Sequence, residues 1–448
     1  MKLEKRFPGE EFTPEERAKA DQMNLDESLV PPWTVPQPRS RTAAGFLQKE
    51  RPELLRAFAR TIYGEIPPRC GEIAFELVES SDSALDGLAR RRQFVIHCRH
   101  RGLERRLHLL LYLPRETREE KVPVFLGLNF KGNHSTTKDP GVLYNIPKVY
   151  PTLRDSPRFR DNAAPRDQRG GDADRWCFEE VLKRGYASAT MRHFDSYPDH
   201  PYGFEDSILR LFFDGSVWNS PARPSAAISA WAWSLERAID CLETVPEIDT
   251  SRILVHGLSR LGKTALWAGA NDERIALAVS FCSGTCGAKL SHRYFGEDFS
   301  WLNLWNPHWT VARFKEYENR DREIPVDQNQ LIGCIAPRLT FITSATEDVY
   351  ADPRGEFLAA AEASKFYRLF GSNGLGTEAQ PPAGQLLTGD IGYYLRSGGH
   401  NATPEDWHAL LDYVDKKMRD ERKELRHSLF AKTKHKDKIN VQNEGQTS

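Results

Sequence analysis

The pattern of apolar and polar positions predicts strands in the first third of the chain and alternating strands and helices after it. Three early segments alternate apolar and polar residues: EIAFELVES, RQFVIHCRH and RRLHLLLYLPR. Alternation with a period of two suits an antiparallel sheet that has one solvated face. The run VPVFLGLNF, at 122–130, is apolar throughout and predicts a strand that is covered on both faces.

Further along, helical spacing alternates with short apolar runs. Helices are predicted within 46–66 and 226–244, and we expect Trp231 and Trp233 of the second to lie in the core rather than to form a sugar platform. Strands are then predicted at RGYASATMR, IALAVSF, PRLTFITSA and IGYYLRSGG, and helices at PRGEFLAAAEASKFYRLF and PEDWHALLDYVDKKM. This alternation predicts an α/β fold with one doubly wound, mostly parallel sheet.

One segment, RILVHGLSRLGKTALWAGA at 252–270, joins a predicted strand to a predicted helix across a serine. Gly257 allows a tight turn without a Cβ clash, and Ser259 lies at the apex of that turn. A strand–Gly-x-Ser–helix unit is the nucleophile elbow of α/β-hydrolases. The second glycine of the usual motif is absent, because Leu261 stands at its position and Gly262 follows one residue later.

The extended motif resembles a known family. The run GLSRLGKTALWAGANDERIAL is similar to the nucleophile region of the bacterial glucuronoyl esterases, carbohydrate esterase family 15. Further similar segments are FLGLNFKGNHS, RGYASAT, AWAWSLERAID, IAPRLTFITSATEDVYADPRGEF and YYLRSGGHNATPEDW. The resemblance implies a three-layer α/β-hydrolase sandwich that cleaves esters of glucuronic or 4-O-methylglucuronic acid, the uronic-acid-containing substrate, without a metal or organic cofactor.

The same resemblance and the composition suggest how the chain is divided. We expect a proline-rich extended arm over 1–39, one catalytic domain over 40–420 and a charged, disordered tail over 421–448. The polar segment 144–171 has no periodicity and is rich in Arg, Asp and Pro. Long loops of this kind are usually functional, which makes it a candidate lid.

His400 is the candidate base for Ser259. A serine hydroxyl needs an adjacent base, and in α/β-hydrolases the triad follows the chain order Ser, acid, His. His400 follows a predicted strand and two glycines, and it precedes a helix that begins with the capping pattern Thr403-x-x-Asp406. A loop at a strand end delivers an imidazole to the carboxyl edge of the sheet.

The acid of the triad is predicted at Asp348. In fungal members of the family a glutamate ends the strand after the nucleophile helix, whereas here 280–284 reads SFCSG, with Cys282 and no carboxylate. Glu347 and Asp348 follow the strand PRLTFITSA, the usual location of the acid in α/β-hydrolases. The resemblance to bacterial members favours Asp348 over Glu347. Asp352, followed by Pro353, is expected to be a helix N-cap.

Four more residues are assigned roles in the site. Arg260 directly follows the nucleophile, so its backbone N–H is placed for an oxyanion hole, and the resemblance adds its guanidinium to that role. The resemblance also implies that Lys263 and Glu297 hold the sugar, and that Tyr350 stands where relatives carry a tryptophan over the ring. For Trp305, His308 and Trp309, lining the cleft and packing in the core are equally expected.

Composition excludes several other classes. The 62 basic and 63 acidic residues nearly cancel, which argues against nucleic-acid partners and against binding to anionic membranes. No apolar run reaches the ~20 residues of a membrane-spanning helix. The segment HFDSYPDH at 193–200 has neither an i, i+4 histidine pair nor an HExxH frame, so we do not assign it a metal.

Seven scattered cysteines and an N-terminus without an apolar signal region favour a reduced, cytoplasmic protein. The resemblance instead implies action on polymers outside the cell, and a start further upstream would reconcile the two. Two alternatives for function stay open. One is another carbohydrate esterase, such as a sugar or xylan deacetylase, and the other is a non-catalytic carbohydrate-binding relative, which Cys282 and Tyr350 keep open.

Overall fold

Ten strands form a single sheet in the computed structural model, which describes residue 18 and residues 22–117, 119–146, 166–218, 220 and 222–418. The order across the sheet is β1-β2-β3-β5-β4-β6-β7-β8-β10-β9. The strands are β1 Glu72–Ala84, β2 Ala89–His100, β3 Leu103–Pro114, β4 Val122–Asn129, β5 Ala187–Arg192, β6 Ile248–Leu258, β7 Ile275–Phe281, β8 Leu339–Ala345, β9 Leu386–Thr388 and β10 Ile391–Arg396.

The sheet divides into an antiparallel and a parallel part, as the sequence pattern predicts. Strands β1, β2, β3 and β5 pair antiparallel, and β5, β4, β6, β7, β8 and β10 pair parallel. All eight residues of β4 are buried, in agreement with its unbroken apolar run. The short edge strand β9 pairs antiparallel with β10 and was not predicted, because three residues are too few to show a period.

Helices cover both faces of this sheet. They are α1 Ala43–Gly45, α2 Arg51–Phe58, α3 Phe178–Lys183, α4 Gly215–Trp218, α5 Ala227–Leu242, α6 Arg260–Asn271, α7 Phe299–Trp305, α8 Gln328–Gly333, α9 Pro353–Tyr367 and α10, which spans 404–418. The helix predicted within 46–66 is present but irregular, with π-helical turns at Phe46–Glu50 and Ala59–Tyr63 on either side of α2. Pro52, in the first turn of α2, has no N–H to donate to the turn before it.

Two hydrophobic clusters on opposite faces of the sheet make three layers. Val124 and Leu126 of β4 point into the larger cluster with α5, α6, α8 and α9, whereas Phe125 between them points into the second cluster with α3 and α10. This follows from the alternation of side chains along a strand. Trp231 and Trp233 are fully buried in the larger cluster, which confirms their assignment to the core.

The described part of the N-terminal arm lies against the region between β7 and β8. Asn329 donates to the carbonyl of Pro36, and the N–H of Gly296 donates to the carbonyl of Asn24. The predicted division into arm, catalytic domain and tail stays a prediction. Positions 147–165 of the proposed lid and the whole predicted tail lie outside the described residues. No described helix is both long and apolar enough to cross a membrane.

Candidate active site

The serine elbow has the geometry that its sequence predicts. β6 ends at Leu258, and α6 begins at Arg260. Between them Ser259 has φ 59° and ψ −125°, a backbone conformation that non-glycine residues rarely adopt. Its N–H donates to the carbonyl of Phe281 on β7 at 2.9 Å, which fixes the turn against the neighbouring strand.

Two glycines make this tight turn possible. A Cβ on Gly257 would lie 2.1 Å from the carbonyl oxygen of Leu261, and a Cβ on Gly262 would lie 2.8 Å from the carbonyl oxygen of Gly257. The backbone of β6 and the first turn of α6 therefore touch directly. The glycine at 262 serves close packing of strand and helix, which explains why the motif works without a glycine at 261.

The structure brings His400 and Asp348 together. Nδ1 of His400 lies 2.7 Å from Oδ2 of Asp348, and because an ionised carboxylate can only accept, the imidazole donates. Asp348 is buried, whereas the side chain of His400 is 37% exposed. In this tautomer Nε2 is left as the free basic nitrogen. Neither this Nε2 nor the hydroxyl of Ser259 has a hydrogen-bond partner among the described residues.

The loop that carries His400 is held by Arg396, a residue that the sequence did not point to. Arg396 ends β10, is buried, and donates to the carbonyls of Gly399 at 2.6 Å and Asn401 at 2.7 Å, one on each side of His400. Its Nε also donates to Asp406 at 2.7 Å. The predicted capping pattern is present, since Asp406 accepts from the N–H and the hydroxyl of Thr403.

Three other residues that the sequence singled out near Asp348 have different surroundings. Glu347 is exposed, and its backbone N–H donates to the carbonyl of Gly398. Cys282 is buried after β7, and burial raises the pKa of its thiol well above the ordinary value. Asp352 caps α9 as predicted, because its side chain accepts from the N–H of Gly355 at 2.9 Å.

A buried carboxyl, Glu356, lies behind the ends of β7 and β8 and was not predicted. It accepts from the N–H of Gly284 at 2.9 Å and from the hydroxyl of Ser344 at 2.7 Å. Burial is the main cause that raises the pKa of Glu356 to about 8, and the negative charge of Asp348 adds to it. Glu356 is therefore mostly neutral at pH 7 while it connects the two strand ends.

Arg260 lies beside the elbow between two aromatic rings. Its guanidinium carbon is 5.2 Å from the ring centre of Phe130 and 5.1 Å from that of Trp309. Nη1 lies 3.2 Å from Oδ2 of Asp199, whose side chain is only 10% exposed and to which the sequence pattern assigned no role in the site. Phe130 follows the end of β4, at the turn where an oxyanion loop was expected.

The three predicted sugar contacts come from three segments, with Lys263 on α6, Glu297 after β7 and Tyr350 after β8. Lys263 is buried, donates to the carbonyl of Ser283, and places its ammonium 5.8 Å from the ring centre of Trp309. Glu297 is also buried, and its N–H donates to the carbonyl of Tyr350 at 2.9 Å, so these two residues form one unit. Their contacts with a sugar stay predictions.

Of the residues for which a cleft or a core position was equally expected, His308 and Trp309 are buried beside Arg260. Both donate to Asp199, from Nε2 of His308 at 2.8 Å and from Nε1 of Trp309 at 2.7 Å. Trp305 packs against Trp301, with ring centres 5.2 Å apart. Among the described residues, no group of three or more His, Cys, Asp or Glu side chains is placed to hold a metal ion.

Comparison with known proteins gives the family of this chain. The family model described as "Glucuronyl esterase, fungi" matches residues 212–371. The "Carbohydrate esterase MZ0003" of an unknown prokaryotic organism is 38% identical over 405 residues, which are 88% of this chain and 92% of that protein. This chain belongs to the glucuronoyl esterase family.

Other members support the same assignment. The structure of the glucuronoyl esterase from Solibacter usitatus matches with a TM-score of 0.80 and 36% identity, over 87% of this chain and 99% of that one. The 4-O-methyl-glucuronoyl methylesterase 1 of Wolfiporia cocos is 32% identical over 170 residues, which are 36% of this chain and 41% of that protein. The family match spans Ser259 and Asp348, and His400 lies beyond its end.

Proposed function

We propose that this glucuronoyl esterase family member hydrolyses esters of glucuronic or 4-O-methylglucuronic acid through an acyl-enzyme on Ser259. The observation that carries the proposal is the 2.7 Å pair of His400 and Asp348, at the edge of the sheet where the serine elbow also ends. Strands β6, β8 and β10 are parallel, so their carboxyl ends meet at this edge. A named relative that acts on 4-O-methyl-glucuronoyl esters supports the substrate class.

The mechanism follows from the polarity of these groups. Nε2 of His400 takes the proton of Ser259 as Oγ attacks the C6 ester carbonyl, and Asp348 stabilises the imidazolium that forms. Arg260 provides a backbone N–H and a positive charge for the oxyanion of the tetrahedral intermediate. His400 then returns its proton to the departing alcohol. A water molecule, deprotonated by the same imidazole, releases the uronate and restores Ser259.

The residues proposed for the acid part of the substrate come from α6 and from the loops after β7 and β8. Lys263 is on α6, one turn after Ser259, whereas Glu297 follows β7 and Tyr350 follows β8, and the backbones of these two residues are hydrogen-bonded. A cation, a carboxylate and an aromatic ring are the groups that bind the hydroxyls and the face of a sugar. Tyr350 offers a smaller ring than the tryptophan of relatives, so we expect weaker stacking on the sugar.

The test compares two esters. The methyl ester of glucuronic acid and 4-nitrophenyl acetate are offered to the purified protein and to the variant Ser259→Ala, with release of acid followed by titration. We expect turnover of the glucuronate ester, and loss of that turnover in the variant with unchanged circular dichroism. An acetylated sugar is offered in the same assay, and its turnover without turnover of the uronate ester would instead identify a deacetylase. A protein that binds glucuronate but cleaves neither ester would be a binding relative.

A further inference from the structure

The guanidinium of Arg260 lies between two aromatic rings and faces one carboxylate. The rings of Phe130 and Trp309 lie at 5.2 and 5.1 Å from the guanidinium carbon, and Oδ2 of Asp199 lies 3.2 Å from Nη1. The side chain of Arg260 retains 22% of its exposure. Nε is buried and has no hydrogen-bond partner in the described part of the chain. The two rings and the carboxylate thus hold the guanidinium, while part of the side chain stays accessible to solvent.

Asp199 is itself held on its other side. Oδ1 accepts from Nε2 of His308 at 2.8 Å and from Nε1 of Trp309 at 2.7 Å, while Oδ2 faces Arg260 and, at 3.5 Å, Nε2 of His193. One oxygen is therefore bound by neutral donors, and the other is directed towards the arginine. Trp309 has two functions here, since its ring covers the guanidinium and its N–H fixes the carboxylate.

The charge of Asp199 is stable in this position. Burial alone would raise the pKa of Asp199, but the charge of Arg260 and the hydrogen bond from His308 hold that pKa well below its ordinary value. Burial lowers the pKa of both histidines, so they are neutral at pH 7. The carboxylate of Asp199 is therefore ionised at pH 7, and it is the negative charge that faces Arg260.

Without that carboxylate, Arg260 would lose its fixed position. An arginine side chain has many accessible rotamers, and the aromatic contacts alone allow the guanidinium to slide along the rings. Stabilisation of an oxyanion requires a donor that is already in place, because reorientation during the reaction would cancel much of the gain. The carboxylate of Asp199, held by His308 and Trp309, supplies this preorganisation.

We propose that Asp199 is a positioning residue for ester hydrolysis, which acts by holding the guanidinium of Arg260 beside Ser259. This proposal rests on the esterase function proposed above. Because the oxyanion arises from any ester carbonyl, the effect of Asp199 extends to both the glucuronate ester and 4-nitrophenyl acetate. A residue that reads the sugar would act on the first substrate alone.

The experiment is a double-mutant cycle of Asp199→Asn and Arg260→Gln, with kcat and KM measured on both esters. We expect Asp199→Asn to lower kcat about 10–100-fold on each ester and to change KM less than about threefold. In the Arg260→Gln background the same substitution should change kcat less than about threefold. Equal loss in both backgrounds would show that Asp199 acts independently of Arg260 and would overturn the proposal, as would normal kcat in Asp199→Asn.

A matched control separates positioning from general stability. Asp139 is also buried in an ion pair, with Nη1 of Arg91 at 2.6 Å, and also accepts from Tyr112 at 2.7 Å, but it lies at the antiparallel end of the sheet. Asp139→Asn should lower Tm and keep kcat within about twofold. A comparable loss of kcat in this control would assign the effect of Asp199→Asn to the fold and would overturn the proposal.

Two further measurements cover the remaining outcomes. If Asp199→Asn does not fold, Trp309→Phe removes one donor to Asp199 and keeps a ring on Arg260, and its loss of kcat should vanish in the Arg260→Gln background. If the wild type cleaves neither ester, the proposed function fails and the crystal structure of Asp199→Asn decides on Asp199. Departure of the guanidinium from between Phe130 and Trp309 would support the positioning role, and an unmoved guanidinium would refute it.

Discussion

The carboxylate of Asp348 lies 2.7 Å from Nδ1 of His400, whereas the side chain of Glu347, the preceding residue, is exposed. Glu347 contributes its backbone instead, with its N–H bound to the carbonyl of Gly398. The two adjacent acids therefore have different roles at the end of β8. One faces the imidazole, and the other ties the turn to the loop after β10.

The first prediction tests this difference. Asp348→Asn should lower kcat by about 10⁴ on the glucuronate ester with little change in KM, because the imidazole loses its correct tautomer and the partner of its cation. Glu347→Gln should keep kcat within about threefold, since its backbone contact is unaffected. Steady-state measurement of kcat and KM for the two variants tests this difference. Retained activity in Asp348→Asn would remove Asp348 from the triad.

The second prediction concerns recognition of the sugar by Lys263. Lys263→Met keeps most of the buried stem and removes the ammonium, so we expect KM for the methyl ester of glucuronic acid to rise about tenfold or more. KM for 4-nitrophenyl acetate should change less than about threefold, because that substrate has no sugar hydroxyls. Similar losses on both esters would mean that Lys263 supports the loop of Ser283 instead of binding the sugar.

The third prediction concerns strain in the elbow. At φ 59° and ψ −125°, a residue with a Cβ is strained by about 1–3 kcal/mol, and glycine is not. Ser259→Gly should therefore have a free energy of unfolding about 1–2 kcal/mol higher than Ser259→Ala. Ala265→Gly, within α6, is the control. There glycine should lower the free energy of unfolding by about 1 kcal/mol relative to alanine, the opposite of the effect at position 259. Denaturant unfolding of these variants measures both differences.

The fourth prediction concerns pH and Glu356. Its pKa is about 8 in the folded protein, above the ordinary value of 4.5, so the folded state binds more protons than the unfolded state between these values. Its contribution to stability is complete below about pH 4.5 and is lost as pH rises through 8. Glu356→Gln should therefore flatten the fall of Tm between pH 5 and pH 8. A parallel fall in wild type and variant would contradict this assignment.

Local patterns were sufficient to predict most of the framework. The unbroken apolar run of β4, the alternation in β1 to β3 and the glycine spacing around Ser259 each depend on neighbours within a few residues. A strand that is buried on one face has alternating apolar residues, and one that is buried on both faces has an unbroken apolar run. A tight turn requires a glycine, which is visible in the sequence. The Thr403-x-x-Asp406 cap is local in the same sense, so it was visible as well.

The partnerships within the site were decided by the tertiary structure. Whether Glu347 or Asp348 faces His400 depends on how β8 lies against β10, where Ala345 pairs with Arg396, and two adjacent acids after a strand carry no periodic signal that separates them. Asp199 forms an ion pair with Arg260, and Arg396 donates hydrogen bonds to the loop of His400. Both contacts form because the ends of parallel strands converge at one edge of the sheet. The sequence by itself determined the layers, the elbow and the candidate chemistry. Which charged group lies beside which was determined by contacts between distant segments, because such contacts leave no repeat in the chain.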